Sequence, residues 1–293
     1  MQNFIQTKNF ENLTKSFVMV QPQSKKIDYK SLKKGNIKKL FSKYDIIIFR
    51  NFGFREDNIF QFVNKFTSKF APDAPRRLSK FKNNKIKSVD IGNNEIDLHS
   101  EGSFTPVWPD LIWFYCKTPS KKSGFTTFCD GYELWESLSQ QTKEFFLFNE
   151  VVYNVEIPFK KIPNKEKIQR WPLSTLGNGN SFVDWSKGKV KYTQKRYAVN
   201  FNKEDKKFYF VNHLLLNLKY EDQIKSIKVG NKKIPLSILK EIKHKSNKSK
   251  FEIKWNKNDF AMINNKRFLH GRTKINSKEK RDISIIQTLE RNF

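Results

Sequence analysis

The sequence predicts a mainly β chain with flanking helices, an α+β composition, and three observations carry that prediction. Two uninterrupted runs of β-branched and aromatic residues, Ile46-Ile47-Ile48-Phe49 and Leu111-Ile112-Trp113-Phe114-Tyr115-Cys116, have strand length, and the second needs cover on both faces. Phe251-Glu252-Ile253-Lys254-Trp255 alternates apolar with polar, the period of a half-buried strand. Apolar residues recur at three- and four-residue steps in a few stretches, so helices are expected there.

In chain order, residues 1 to 35 are polar and Lys-rich and are expected to form an N-terminal arm with one edge strand. Ser31 to Ser42 fits a short helix loosely through Leu32, Ile37, Leu40 and Phe41. Tyr44 to Arg50 reads as a buried strand. Glu56 to Phe70 repeats Ile59, Phe60, Phe62, Val63 and Phe66 as an amphipathic helix, which Ala71-Pro72-Asp73-Ala74-Pro75 stops. Arg76 to Lys87 reads as a solvated basic loop near the mouth of a site, with Arg76 and Arg77 a surface pair. Leu111 to Cys116, Gly124 to Asp130 and Val151 to Phe159 supply further strands, and one helix is expected from Gly131 to about Phe146. Ile234-Pro235-Leu236 opens a helix to about Lys245. Phe251 to Trp255 is a strand, Asp259 to Ile263 begins the strand that carries His270, and Arg281 to Gln287 is the last. No internal repeat is evident and nothing forces a split, so 1–293 reads as a single domain.

The chemistry-bearing residues gather in Leu98-His99-Ser100-Glu101-Gly102-Ser103-Phe104. If Ser88 to Gly92 leads into a strand, pleat alternation sends His99 and Glu101 to one face. A His and a Glu two apart on a strand are more often an exposed polar pair than ligands. The distant Phe268-Leu269-His270-Gly271-Arg272 changes that balance. Two neutral nitrogens and one carboxylate oxygen occupy one face of an octahedral metal and leave the opposite face open, which suits iron(II) and oxygen. Two ligands close in sequence with a third far away also fit a double-stranded β-helix (jelly-roll) core, whose paired sheets bring early and late strands together. His213, in Tyr209-Phe210-Val211-Asn212-His213, is a rival ligand without the H-G-R context and reads as pocket lining or core packing.

The order of H-x-E, then Gly124-Phe125-Thr126, then H-G-R, then Arg281 resembles the taurine dioxygenase and clavaminate synthase-like superfamily of iron(II)/2-oxoglutarate oxygenases, from about Tyr44 to Arg281. The resemblance implies that His99, Glu101 and His270 are the metal ligands and catalytic residues, with Fe(2+), 2-oxoglutarate and O2 as cofactor and co-substrates. Arg281 and Thr126 take the family positions that hold the distal carboxylate of 2-oxoglutarate, a match of guanidinium fork to carboxylate. Residues of about 160–230 fall where the family has a substrate-covering insertion. The implied reaction decarboxylates 2-oxoglutarate to succinate and CO2 and oxidises an unactivated C–H bond, with hydroxylation the default. Halogenating relatives lack the metal-binding carboxylate that Glu101 supplies here. Glu in place of the commoner Asp resembles the clavaminate synthase branch, which keeps desaturation and cyclisation open and favours an amino acid or amino-acid-derived substrate. Ser103 and Phe104 are expected at the substrate pocket, with core packing the equal alternative for Phe104. Arg272 is either a substrate-carboxylate ligand or, the favoured reading, a brace for its strand.

Bulk composition offers a rival. The 57 Lys and Arg against 29 Asp and Glu leave a net charge of +28, which suits nucleic acid, an anionic surface or an acidic protein. Arg is the favoured residue for phosphate and base contacts, yet the cations here are overwhelmingly Lys and spread along the chain. No specific nucleic-acid role is therefore expected, and the alternative is a basic binding module, for nucleic acid or an acidic carrier protein, on an inactive oxygenase scaffold. A small-molecule substrate tethered to a carrier protein would reconcile the two. The apolar runs fall far short of the ~20 residues that cross a bilayer. Cys116 and Cys129 are expected as buried thiols in a cytoplasmic protein.

Overall fold

The computed structural model describes residues 4–7, 17–71, 80, 85–89, 92–158, 181–184, 189–216 and 224–289. Strands β1 (Phe4–Thr7) and β2 (Phe17–Pro22) precede helix α1 (Lys34–Tyr44) and strand β3 (Ile46–Phe49). Helix α2 (Ile59–Val63) leads to β4 (Lys87–Ser88), β5 (Ile96–His99), β6 (Leu111–Thr118) and β7 (Thr126–Asp130). Helices α3 (Gly131–Ser137) and α4 (Gln140–Leu147) come next, then strands β8 (Glu150–Pro158), β9 (Ser181–Asp184), β10 (Lys189–Tyr197), β11 (Val199–Asn202), β12 (Lys207–Phe210), β13 (Ile224–Val229) and β14 (Lys232–Lys233). Helix α5 (Leu236–Ser249) precedes β15 (Phe251–Ile253), β16 (Phe260–Asn264), β17 (Phe268–Arg272) and β18 (Asp282–Thr288).

Two sheets make the jelly-roll core. One runs in the order β1-β2-β3-β16-β6-β18-β4 and the other β15-β7-β17-β5. Strand alternation sorts their side chains into layers. Ile112, Phe114 and Cys116 of β6 join Ala261 and Ile263 of β16, Phe128 of β7 and Phe268 of β17 in the apolar filling between the sheets. The alternate residues Leu111, Trp113 and Tyr115 face the other way and meet Phe41 of α1 and Phe62 of α2. Leu98, Cys129 and Leu269 project from the outer face of the smaller sheet onto α3, α4, α5 and the sheet β14-β13-β8-β10-β9. Each layer thus draws on one parity of residue along each strand.

Several sequence expectations need correction. The N-terminal arm contributes two strands, and β2 is no loose edge: it pairs in parallel with β3 and buries Phe17 to Val20. Helix α1 runs on to Tyr44, so the next strand starts only at Ile46, after Asp45 takes the left-handed conformation that ends the helix. The long helix expected over Glu56–Phe70 is one short helix, after which the turns tighten, Lys65 N donating to Phe62 O and Phe66 N to Val63 O three residues back. The helix expected over Gly131–Phe146 is two, broken where Ser139 caps α4 by accepting from Thr142 N at 3.3 Å. Helix α5 extends past Lys245 to Ser249. The strand expected to run from Asp259 to His270 is two strands in different sheets, turned at Asn265. Within the expected insertion, β9 to β13 are regular strands; residues 159–180, with Arg76 and Arg77, lie outside the described residues.

Candidate active site

Neighbouring strands β5 and β17 carry His99 and His270, which stand directly opposite each other in the antiparallel pairing. Gly271 permits that approach: a Cβ there would lie 2.5 Å from Ile96 O and 2.9 Å from Thr127 Oγ1. The central residue of H-G-R is therefore set by space between backbones. Glu101 arrives by a different route from the one predicted. Strand β5 stops at His99, and Glu101 sits in the turn after it, which Gly102 continues at φ +67. Its Oε2 still lies 3.9 Å from His99 Nε2 and 3.7 Å from His270 Nε2.

One ligand atom from each of His99, Glu101 and His270 lies within 4.8 Å of the others, and all three side chains are at least nine-tenths buried. His99 Nδ1 is 2.8 Å from Asp97 O, which puts the proton on Nδ1 and leaves the Nε2 lone pair directed at the cluster. Burial, and then the His270 and His213 rings, hold His99 well below the ordinary histidine range, so the ring is neutral near pH 7. The Nδ1 of His270 is buried, with no hydrogen-bond partner among the described residues. Two imidazoles and one carboxylate fit a divalent metal that takes mixed nitrogen and oxygen donors. His213 is not one of these donors. Its ring stands 5.0 Å from that of His99 and 4.4 Å from that of Phe104, while its Nδ1 lies 3.3 Å from Ser100 O.

A cavity opens from the cluster, with Thr126, Arg272 and Arg281 on its wall. Arg281 donates from Nη2 to Thr126 Oγ1 at 3.0 Å, and among the described residues it forms no ion pair with a carboxylate. Burial and then the adjacent Arg272 bring its pKa down to about 10. The Thr126 oxygen also accepts from Trp255 Nε1 at 2.7 Å. With two donors on one hydroxyl oxygen, the single Thr126 proton is left to point elsewhere. Arg272 donates to Gly92 O and Asn94 O at 2.7 and 2.8 Å, the bonds of a residue bracing the entry to β5. Ser103 is wholly buried, and its hydroxyl donates to Ser100 O at 3.0 Å within the turn, so it is not brought to the cavity. Phe104 packs partly buried beside His213.

Sequence reasoning misses Trp255 and Asn265. Trp255 reads only as the end of an alternating strand, and nothing in the pattern marks its indole N–H. Asn265 reads as a strand interior, and its role depends on a turn that the sequence does not reveal.

Two imidazoles and a carboxylate gathered between the sheets of a jelly roll are the frame on which non-haem iron oxygenases are built. The family described as taurine catabolism dioxygenase TauD, TfdA matches residues 9–287. The chain belongs to this dioxygenase family. Solved structures share its fold at low identity. The PvcB protein from Pseudomonas aeruginosa is 11% identical with a TM-score of 0.67, over 98% of this chain and 92% of that one. A putative alpha-ketoglutarate-dependent taurine dioxygenase from Burkholderia xenovorans is 12% identical with a TM-score of 0.65, over 98% and 92%. AAD-2, solved with Mn(II) and N-oxalylglycine, is 13% identical with a TM-score of 0.60, over 99% and 98%. No curated protein matches by sequence.

Proposed function

We propose that the chain is an iron(II)- and 2-oxoglutarate-dependent oxygenase acting on a small amino acid or amino-acid-derived substrate, with residues 1–293 working as one domain. The observation that carries this reading is the convergence of His99, Glu101 and His270 on one point beside a cavity lined by Arg281, which among the described residues forms no ion pair with a carboxylate. These three residues would hold iron(II), which with bound 2-oxoglutarate and O2 supplies oxidative decarboxylation to succinate and CO2 coupled to oxidation of a C–H bond.

The chain's own residues do the rest. Arg281 pairs its guanidinium with the distal carboxylate of 2-oxoglutarate, a charge-assisted contact made stronger by burial. Thr126 adds its hydroxyl proton, already aimed by the two donors on its oxygen. Phe114 and Ile285 line the same cavity and keep water from the bound co-substrate. On the other side, Phe104 and His213 border the substrate. Arg196 reaches the Phe104-Thr105 turn, donating to Thr105 O at 3.0 Å and lying 4.7 Å from the Trp108 ring. Among the described residues its buried Nε has no hydrogen-bond partner, which supports a substrate that carries a carboxylate. Hydroxylation is the default outcome. The buried free thiols Cys116 and Cys129 support a cytoplasmic setting.

Loaded anaerobically with iron(II) and then given O2, the protein is expected to convert 2-oxoglutarate to succinate, faster with the right member of a panel of amino acids and their carrier-tethered forms. A product heavier by sixteen mass units marks hydroxylation, and one lighter by two marks desaturation or cyclisation. His99→Ala and His270→Ala are expected to lose succinate formation altogether. Full turnover in either variant removes the reading. Binding to nucleic acid or an acidic carrier that collapses with salt, in a protein without turnover, would favour the basic-module alternative.

A further inference from the structure

The carboxylate of the donor set lies beyond the last residue of its strand, so the β5 ladder cannot fix it. The antiparallel pairing sets His99 opposite His270, and a continuous ladder would put Glu101 opposite Phe268. That ladder ends at His99. The Asn265 side chain takes the place of the missing strand. Glu101 N donates to Asn265 Oδ1 at 2.8 Å, and Asn265 Nδ2 donates to Glu101 O at 2.9 Å. In a hydrogen-bonded antiparallel pair the N–H and C=O of one residue bond to the C=O and N–H of a single partner residue. Here one side-chain amide supplies both the acceptor and the donor of that partner residue.

The amide is itself held. Its Nδ2 also donates to Pro109 O at 2.8 Å, its backbone N donates to Asp110 O at 3.0 Å, and Ser100 Oγ donates to its backbone O at 2.8 Å. Trp108 Nε1 donates to that Ser100 hydroxyl at 2.8 Å. Asn265 is completely buried, in the turn between β16 and β17, which ties the larger sheet to the strand carrying His270. We infer that Asn265 is the positioning residue for the Glu101 carboxylate, extending the β5 ladder to Glu101, two residues past His99, so that Glu101 falls on the same side as the two imidazoles.

This inference rests on the metal-centre reading and deepens it. Its consequence is selective: loss of the amide frees one ligand out of three, and supporting groups of this kind typically change metal affinity 10- to 100-fold. Co(II), whose visible absorption reports its ligands, is the probe. Titrated into the metal-free full chain, Asn265→Ala is expected to weaken Co(II) binding by about 10- to 100-fold and to alter the absorption of the bound ion. In a Glu101→Ala background, where the carboxylate is already gone, the same substitution is expected to change neither. Equal weakening in both backgrounds would make Asn265 a general structural residue and overturn the inference, as would unchanged binding in the single variant. Should Asn265→Ala fail to fold, the isosteric Asn265→Asp, which keeps the acceptor and loses the donor, is read in the same pair of backgrounds. Wild-type protein that binds no Co(II) would overturn the metal-centre reading itself.

Discussion

Gly271 and the two cysteines show what single atoms decide in this molecule. A methyl group at Gly271 would meet the Ile96 carbonyl at 2.5 Å, and backbone cannot yield as a flexible side chain does. Gly271→Ala is therefore expected to destabilise the metal-free protein by about 1–3 kcal/mol, the usual cost of overpacking, read as a lower urea midpoint. An unchanged midpoint would mean that β5 and β17 spread without cost. Burial pushes both the Cys116 and Cys129 thiols up to about 12. A thiol raised in the folded state contributes stability that is present below its unfolded pKa of about 8.5 and is lost as pH climbs towards the folded value. Below that window neither sulfur is a thiolate. Both are expected to resist alkylation at pH 8 in the native protein and to react on unfolding, and rapid labelling of the native chain would contradict their burial.

At the level of elements, the short edge strand β15 matters because it delivers Trp255 beneath the β7 hydroxyl of Thr126, a contact between neighbouring strands of the smaller sheet. Trp255→Phe keeps an aromatic ring and removes the N–H donor. Under the proposed function it is expected to raise KM for 2-oxoglutarate several-fold while kcat changes little, since a misaimed hydroxyl weakens binding of the co-substrate. An unmoved KM would separate Trp255 from the Thr126 hydroxyl. The break between α3 and α4 is a cap with a second anchor. Ser139 N and Oγ both donate to the Glu241 carboxylate on α5, at 2.6 and 2.9 Å. Ser139→Ala is expected to cost about 1 kcal/mol of unfolding free energy, the ordinary value of a lost N-cap, without touching the donor cluster.

Across the whole molecule, a net charge of +28 on 293 residues is a standing self-repulsion. Salt at a few tenths molar screens charges more than a few ångströms apart. The melting temperature is therefore expected to rise between low salt and about 0.5 M NaCl. A flat or falling curve would mean that the surface cations are locally compensated. Among the described residues no helix is long and apolar enough to cross a membrane.

The strands of the core were legible in the residues themselves, since Ile46 to Phe49 and Leu111 to Cys116 can be satisfied only by burial on both faces. The spacing of His99, Glu101, Thr126, His270 and Arg281 was legible too, because one-dimensional order survives folding. How Glu101 reaches the imidazoles emerges only in three dimensions. Pleat alternation predicted the right face for the wrong reason: the strand ends two residues early, and an amide 164 positions away in sequence completes it. The same holds for Trp255 and for the split of Asp259–His270 into two sheets. Those outcomes depend on which buried donors and acceptors meet after the chain has turned, and a local pattern carries no record of a partner that folding brings from elsewhere.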